Sequence, residues 1–153
     1  MSTSNVTLGL SLGTQLTGLA ILKDRELVVW QVKNFEGRWT HNKLQKILKT
    51  IEQYLSDYCI TRVMIKLPEP CRRSDALELL SEAIIARLKT LNIPVDVLSI
   101  SDLKNRCMAQ NRSELMHHVV GLYPELSFAL QKATKVKKVY HFKVFEAVLT
   151  ALM

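Results

Sequence analysis

The 153-residue chain has few cysteines and no long apolar stretch, and these shortages argue against several classes of protein. Its three cysteines, Cys59, Cys71 and Cys107, are far apart and form no CxxC pair, which indicates buried or idle thiols in a reducing compartment. No apolar run approaches the roughly 20 residues of a membrane-spanning helix. The first ten residues also lack the basic start and apolar core of a signal peptide. We therefore expect a cytoplasmic protein with no membrane contact.

Acidic residues are outnumbered by basic ones, and this imbalance favours a polyanionic partner. Lys and Arg together number 21 against 14 Asp and Glu, which gives a formal net charge of +7. Nucleic acid is the first partner that such a charge indicates, although many small proteins are basic for unrelated reasons. With 48% hydrophobic and 23% charged residues, the composition is that of an ordinary globular protein. The length predicts a single domain over residues 1–153.

The order of the hydrophobic patterns predicts a mixed α/β fold. Three apolar or alternating runs come first and predict an antiparallel meander, after which helical and extended patterns alternate. The predicted strands lie at 6–12, 16–23, 27–35, 60–67 and 95–100, and the predicted helices at 44–55, 74–90, 102–110, 113–123 and the C-terminal end. The crossovers after the third and fourth strands predict a five-stranded mixed sheet in the order 3-2-1-4-5, with helices on both faces. This architecture resembles the ribonuclease H-like fold.

Several local features are also predicted from residue types. Ser74, Ser101 and Ser113 are the expected N-caps of the helices that follow them. Apolar residues cover much of the circumference of the second helix, so we expect that helix to be well buried. Trp30 lies in the apolar run LVVWQV, which predicts a core position, and the stretch before the last helix reads as a lysine-rich connector.

The stretch TLGLSLGTQLTGLAIL, residues 7–22, resembles the first two strands of RuvC-type Holliday-junction resolvases. The motif of that family reads roughly L-G-I-D-P-G-x-x-x-T-G-x-x-V-I. The matching positions of this chain are Leu8, Gly9, Leu10, Gly13, Thr17, Gly18, Ile21 and Leu22. Residues 99–126 resemble the resolvase segment in which a lysine-bearing helix leads through a polar loop to the next helix. Residues 145–153 resemble the terminal D-A-L-A helix.

The resemblance implies a site of four acidic or metal-binding side chains around two magnesium ions. In such a site one metal generates hydroxide and the other neutralises the leaving oxygen, and both need carboxylate oxygens. The corresponding positions of this chain are Ser11, Lys66, Lys143 and Glu146. Only one carboxylate remains, and two ammonium groups would repel divalent cations. We therefore expect a degenerate site with no catalytic residue, no metal and no cofactor.

Other candidate groups leave one alternative open at this stage. Glu69, three residues after Lys66, is a candidate for a displaced acid, which would make the chain a metal-dependent junction endonuclease with a rearranged site. It lies between two prolines beyond the predicted strand end, which argues against that role. His117 and His118 are adjacent and lack a third ligand at metal spacing, so we expect surface or half-buried positions for both.

Basic residues around the degenerate site are the predicted contacts to nucleic acid. They are Lys66, Arg72, Arg73, Lys104, Arg112 and Lys143, and the lysine-rich segment at 132–138 approaches the last helix. We therefore expect a catalytically inactive RuvC-like protein that binds branched DNA. A protein-interaction module on the same scaffold is the alternative, in which the basic surface is incidental. The resemblance also implies a homodimer.

Overall fold

The computed structural model describes residues 4–135 and 139–153, and its core is a single mixed sheet. The strands are β1 (Val6–Ser11), β2 (Leu16–Lys23), β3 (Glu26–Asn34), β4 (Arg62–Lys66) and β5 (Val95–Leu98). Their order is β3-β2-β1-β4-β5, which confirms the predicted one. The first three strands pair antiparallel, whereas β4 is parallel to β1 and β5 is parallel to β4. The carboxyl ends of β1, β4 and β5 therefore meet at one end of the sheet.

Helices cover both faces of the sheet, as predicted. They are α1 (His41–Asp57), α2 (Asp75–Thr90), α3 (Ile100–Cys107), α4 (Arg112–Leu122), α5 (Ser127–Lys135) and α6 (Val139–Leu152), with 3-10 turns at Pro70–Arg72 and Pro124–Leu126. Because successive side chains of a strand point to opposite faces, each strand contributes to two cores. Leu8 and Leu10 of β1 pack with α1 and α2. Ala20 and Leu22 of β2 pack with the helices α3 to α6.

Helix α6 lies unusually close to β1 and β2, and two glycines make this approach sterically feasible. A Cβ atom at Gly9 would lie 2.3 Å from the carbonyl oxygen of Ala147, and one at Gly18 would lie 2.3 Å from that of Lys143. Neither position can carry a side chain unless the helix moves. The two glycines of the sequence motif therefore let the backbone of α6 rest on the strands, and this places Lys143 and Glu146 over the end of β1.

The start of α3 differs from the prediction. The helix is capped by Ser99 rather than Ser101, and β5 ends at Leu98 instead of residue 100. The Ser99 hydroxyl accepts a hydrogen bond from the Asp102 backbone N–H at 3.2 Å, and the Asp102 carboxylate accepts one from the Ser99 backbone N–H at 2.8 Å. This reciprocal capping box satisfies two backbone donors, which explains why the chain turns into a helix earlier than its apolar pattern indicated.

Two further boundaries are corrected in the C-terminal third. Helix α4 is capped by Asn111, whose side chain accepts a hydrogen bond from the Glu114 backbone N–H, and not by Ser113. The segment predicted as a lysine-rich connector begins at Gln131 and so overlaps the second part of α5, and its Lys137 and Lys138 lie outside the described residues. The cap predicted at Ser74 is confirmed, since its hydroxyl accepts a hydrogen bond from the Leu77 backbone N–H.

Two predictions of burial are wrong, because one residue lies on an edge strand and the other on the outer side of a helix. Trp30 is 39% exposed because β3 is the edge strand, so no further strand covers that side of its ring. Leu79 is 54% exposed on the outer side of α2, whose opposite side carries the core residues.

Of the cysteines, Cys59 and Cys71 are exposed, Cys107 is half-buried, and all three thiols are free. In the part of the chain that the structure describes, no helix is long and apolar enough to cross a membrane.

Candidate functional site

The four positions that the resemblance singles out lie together at one end of the sheet. Ser11 is the last residue of β1, Lys66 is the last residue of β4, and the two are direct partners in the parallel register. Lys143 and Glu146 are three residues apart on α6, and therefore share the helix face that rests on β1 and β2. We call these four residues the candidate site.

Glu146 is the centre of the candidate site, and both of its carboxylate oxygens have partners. Its Oε1 accepts a hydrogen bond from the Ser11 hydroxyl at 3.2 Å, and its Oε2 lies 2.8 Å from the Lys66 ammonium nitrogen. Glu146 is 3% exposed, and the Lys66 side chain is 12% exposed. An ion pair this deeply buried needs both partners, because removal of either would leave an uncompensated charge in the interior.

Lys143 adds a second ammonium group on the other side of Ser11. Its Nζ donates to the Ser11 carbonyl oxygen at 3.3 Å. Burial disfavours the charged form and lowers the pKa of Lys143 to about 8, an effect that Glu146 opposes and Lys66 reinforces. The group is still mostly protonated at pH 7. Two ammonium groups and one carboxylate then leave the candidate site with a formal charge of +1.

The turn between β1 and β2 lies against the Lys143 ammonium group and needs a glycine for its own geometry. A Cβ atom at Gly13 would lie 2.3 Å from the Leu16 carbonyl oxygen of the turn and 3.2 Å from the Lys143 Nζ. The Thr17 hydroxyl donates to the Gly13 carbonyl oxygen at 2.9 Å and accepts from the Gly13 backbone N–H at 3.3 Å. From the sequence, Thr17 is identified only as a match to the family motif. Its spacing of four residues from Gly13 was the signal that its side chain supports the turn.

The side chains present do not fit a pair of divalent cations. Two such ions need several carboxylate oxygens, and the site has one carboxylate whose oxygens already bind Ser11 and Lys66. Two positive side chains next to it add electrostatic repulsion. Among residues 4–135 and 139–153 there is no group of three or more His, Cys, Asp and Glu side chains placed to hold a metal ion.

The other candidates for a metal ligand are occupied elsewhere. The Glu69 carboxylate accepts a hydrogen bond from the Ser101 hydroxyl at 3.4 Å, which ties it to the first turn of α3. His117 and His118 are both exposed on α4, as expected. His117 Nδ1 lies 2.8 Å from the Ser113 carbonyl oxygen of its own helix.

The basic residues predicted to contact nucleic acid are distributed unevenly. Lys66 and Lys143 lie in the candidate site, and Arg72 is exposed in the 3-10 turn after β4. Arg73 is held by its own loop, because its Nε donates to the Pro68 carbonyl oxygen and its Nη1 lies 3.4 Å from the Glu78 carboxylate. It is therefore less available than predicted.

The remaining two predicted contacts lie on the helices that cover α6. Lys104 is half-buried on α3. Arg112 is exposed at the start of α4, and its guanidinium lies 4.9 Å from the centroid of the Phe142 ring, next to Lys143 in α6. The structure thus links Arg112 to the candidate site through α6, although the two are far apart in the sequence.

A second basic surface, not predicted from the sequence, lies between β3 and α1. Lysines and tyrosines line a groove there. The sequence signal for this surface is the set of lysines that recur on the polar side of the first helix, opposite its apolar side.

Comparison with known proteins identifies the fold. No protein-family profile matches the chain, and no curated protein is significantly similar to it in sequence. The structure is similar to Thermus thermophilus RuvC in complex with a Holliday junction substrate, with a TM-score of 0.71 and 14% identity over 95% of this chain and 91% of that one. A second Thermus thermophilus RuvC structure gives a TM-score of 0.69 at 13% identity over 95% and 92% of the two chains. The chain therefore has a RuvC-like, ribonuclease H-like fold.

Proposed function

We propose that this protein binds branched DNA through its candidate site and does not cleave it. The observation that carries the proposal is the pairing of Glu146 with Lys66 beside Lys143, where the resemblance implies carboxylates around metals. The fold is shared with a RuvC that has been seen in complex with a Holliday junction substrate, and the net charge of +7 suits a polyanionic partner.

The chemistry of the site favours binding a phosphate over hydrolysing it. A formal charge of +1 at the carboxyl end of β1 attracts a phosphodiester, and the exposed Arg72 adds a donor just beyond β4. Hydrolysis would need a base or a metal to activate water, and the only carboxylate of the site is held by Ser11 and Lys66.

Binding is tested with a labelled four-way junction whose fluorescence anisotropy is followed as salt is varied. Removing two phosphate contacts in the Arg72→Gln plus Lys143→Met variant should lower the affinity and reduce the log–log salt slope by about 1.8. The matched control is Lys89→Gln plus Lys23→Met, which removes the same charge from exposed positions on α2 and at the end of β2 that is far from Ser11. Undetectable junction binding at ~50 mM salt, or an equal loss in the control, would contradict the proposal.

Absence of cleavage is tested with the same junction in Mg²⁺ or Mn²⁺, where we expect intact strands. The variant Ser11→Asp, Lys66→Glu, Lys143→Asp changes the formal charge of the candidate site from about +1 to about −4 with all groups ionised. It should therefore bind Mn²⁺ in calorimetry where the native protein does not. Equal Mn²⁺ binding by both proteins would restore the alternative of an active junction endonuclease.

We also propose that the protein is a homodimer, as the RuvC resemblance implies. Light scattering during size-exclusion chromatography should give twice the monomer mass. A monomer mass at all accessible concentrations would contradict the homodimer, and any DNA binding would then involve a single subunit.

A protein-interaction module is the second candidate, and one observation favours it. Three large apolar side chains are exposed on or beside the helices α3, α4 and α5, namely Met108 at 89%, Leu122 at 51% and Phe128 at 66%. Exposed apolar groups of this size are typical of contact surfaces. If junction binding fails, a Met108→Ser, Phe128→Ser variant that abolishes association with a partner would support this function.

A further inference from the structure

A groove of about 510 Å³ runs between the edge strand β3 and helix α1, on the face of the sheet opposite the candidate site. Its cationic and aromatic lining consists of Lys33, Lys46, Lys49, Tyr54 and Tyr58. We call this set the basic groove. It is distinct from the candidate site, and none of its residues takes part in the function proposed above.

The spacing of residues on α1 places these side chains on one stripe. Lys46, Thr50, Tyr54 and Tyr58 follow one another at intervals of four residues, and Lys49 directly precedes Thr50, so these side chains lie along one side of the helix. The opposite side carries Ile47 and Ile51, which are buried against the sheet. Helix α1 therefore uses its apolar side for the core and turns its lysines and tyrosines towards the edge of β3.

The basic groove carries an excess of cationic charge. In the part of the chain that the structure describes, no carboxylate forms an ion pair with Lys33, Lys46 or Lys49. The one acidic residue of the lining is Asp57, whose carboxylate accepts a hydrogen bond from Gln53 at 2.9 Å. Three ammonium groups thus face the groove against one carboxylate, so an anionic ligand would gain a net favourable interaction.

Two tyrosines in the basic groove are pre-arranged as a stacking surface. The rings of Tyr54 and Tyr58 are stacked, with centroids 6.1 Å apart and an angle of 12° between their planes. Tyr54 is held from the strand side, because Gln31 donates to its hydroxyl and the Lys33 ammonium lies 5.5 Å from its ring centroid. Tyr58 is 39% exposed, which leaves part of its ring open to a flat ligand.

The Lys33 end of the basic groove lies at the same end of the sheet as the candidate site, whereas Tyr58 lies towards the other end, near Val6 and Lys23. Ser11 pairs with Gly18, Gly18 pairs with Val32, and Lys33 is the next residue of β3. Two strand spacings of about 4.8 Å separate β1 from β3, so the start of the groove lies about 10 Å across the sheet from Ser11. A flexible chain that leaves the candidate site can therefore pass around the end of the sheet into the groove.

We propose that the basic groove is a second nucleic-acid site, which binds single-stranded DNA or RNA. The phosphates contact Lys33, Lys46 and Lys49, and a base stacks on Tyr58. Single strands fit this combination because their bases are free to stack, whereas the bases of a duplex are enclosed. An acidic peptide would satisfy the lysines but would make no use of the stacked rings.

The first test measures binding of a fluorescein-labelled 20-nucleotide oligothymidylate by anisotropy. The variant Lys46→Glu plus Lys49→Glu should bind at least tenfold more weakly than the control Lys89→Glu plus Lys132→Glu. The log–log salt slope should fall by about 1.4, since each lost phosphate contact contributes about 0.7 for single strands. Lys46 and Lys49 are both exposed, so thermal melting of the variant should show an intact fold.

The second test addresses stacking. Tyr58→Leu keeps an apolar side chain but removes the ring, and should lower the affinity for the oligonucleotide about fivefold or more, whereas Tyr58→Phe should retain it. Equal losses in the groove variant and its charge-matched control would overturn the proposal. Displacement of the oligonucleotide by polyglutamate as efficiently as by unlabelled DNA, with no effect of Tyr58→Leu, would reassign the groove to acidic proteins.

Failure of this proposal can be told apart from failure of the junction proposal. The variant Arg72→Gln plus Lys143→Met should weaken binding of the four-way junction and leave oligothymidylate binding within twofold. The Lys46→Glu plus Lys49→Glu variant should show the opposite pattern. If oligothymidylate binding depends on Lys46 and Lys49 but the protein does not bind four-way junctions, the proposal for the basic groove stands and the junction proposal fails.

Discussion

The candidate site and the basic groove both depend on lysine, yet the two regions place its charge in opposite environments. Lys143 is buried and Lys66 is half-buried, they are bound to Ser11 and Glu146 respectively, and burial lowers the pKa of Lys143 to about 8. Lys46 and Lys49 are exposed and have no acidic partner among the described residues. A buried charge depends on its partner for stability, whereas an exposed charge costs little free energy because water solvates it.

The strongest test of this contrast is Glu146→Ala. It removes the only carboxylate of the candidate site and leaves Lys66 and Lys143 without compensation, so the free energy of unfolding should fall by about 3–5 kcal/mol. Urea denaturation measures it. The control is Glu78→Ala, whose pair with Arg73 is partly exposed and should contribute at most about 1 kcal/mol. Equal small losses in both variants would mean that the buried pair is not structural.

The pH dependence of stability should reveal the buried state of Lys143. Its pKa is about 8 in the fold, below the ordinary value of 10.5, so the unfolded chain binds more protons between these pH values. Stability should therefore rise as the pH increases through this window, by about 3 kcal/mol in total. In Lys143→Met this contribution to the rise should be absent. If the native protein and the variant show the same dependence of stability on pH, Lys143 is exposed to solvent and not buried.

The close approach of α6 to the strands is tested by Gly18→Ala. The added Cβ atom would meet the Lys143 carbonyl oxygen at 2.3 Å, so the helix must shift and the free energy of unfolding should fall by about 1–3 kcal/mol. Gly121→Ala is the matched control, because nothing lies within 4 Å of a Cβ there and the substitution should stabilise α4 by up to about 1 kcal/mol. Chemical denaturation of both variants separates the two effects.

The smallest effect on stability is expected in the basic groove. Lys46→Gln plus Lys49→Gln should change the free energy of unfolding by about 0.5 kcal/mol or less, because exposed positions without partners contribute little. The same variant should weaken binding of oligothymidylate. A loss of stability comparable to that of Glu146→Ala would show that these lysines are structural, and would remove the contrast between the two regions.

Local patterns predicted most of the fold, and the exceptions have identifiable causes. The sheet order followed from the succession of strands and helices together with the handedness of crossovers, which depend on chain geometry rather than on particular contacts. The helix start at Ser99 was missed because two serines compete and the Asp102 carboxylate favours the first one. The exposure of Trp30 was missed because the residue pattern of an edge strand is like that of an inner strand.

For the candidate site, the amino-acid sequence was enough to predict the residue types at the four positions, and hence a single carboxylate. The pairing of Glu146 with Lys66, eighty positions away, and the burial of Lys143 beside Ser11 became visible in the folded chain alone. This is because a pKa and an ion pair depend on distance and burial. Both are set here by the contact of α6 with Gly9 and Gly18, which joins opposite ends of the chain.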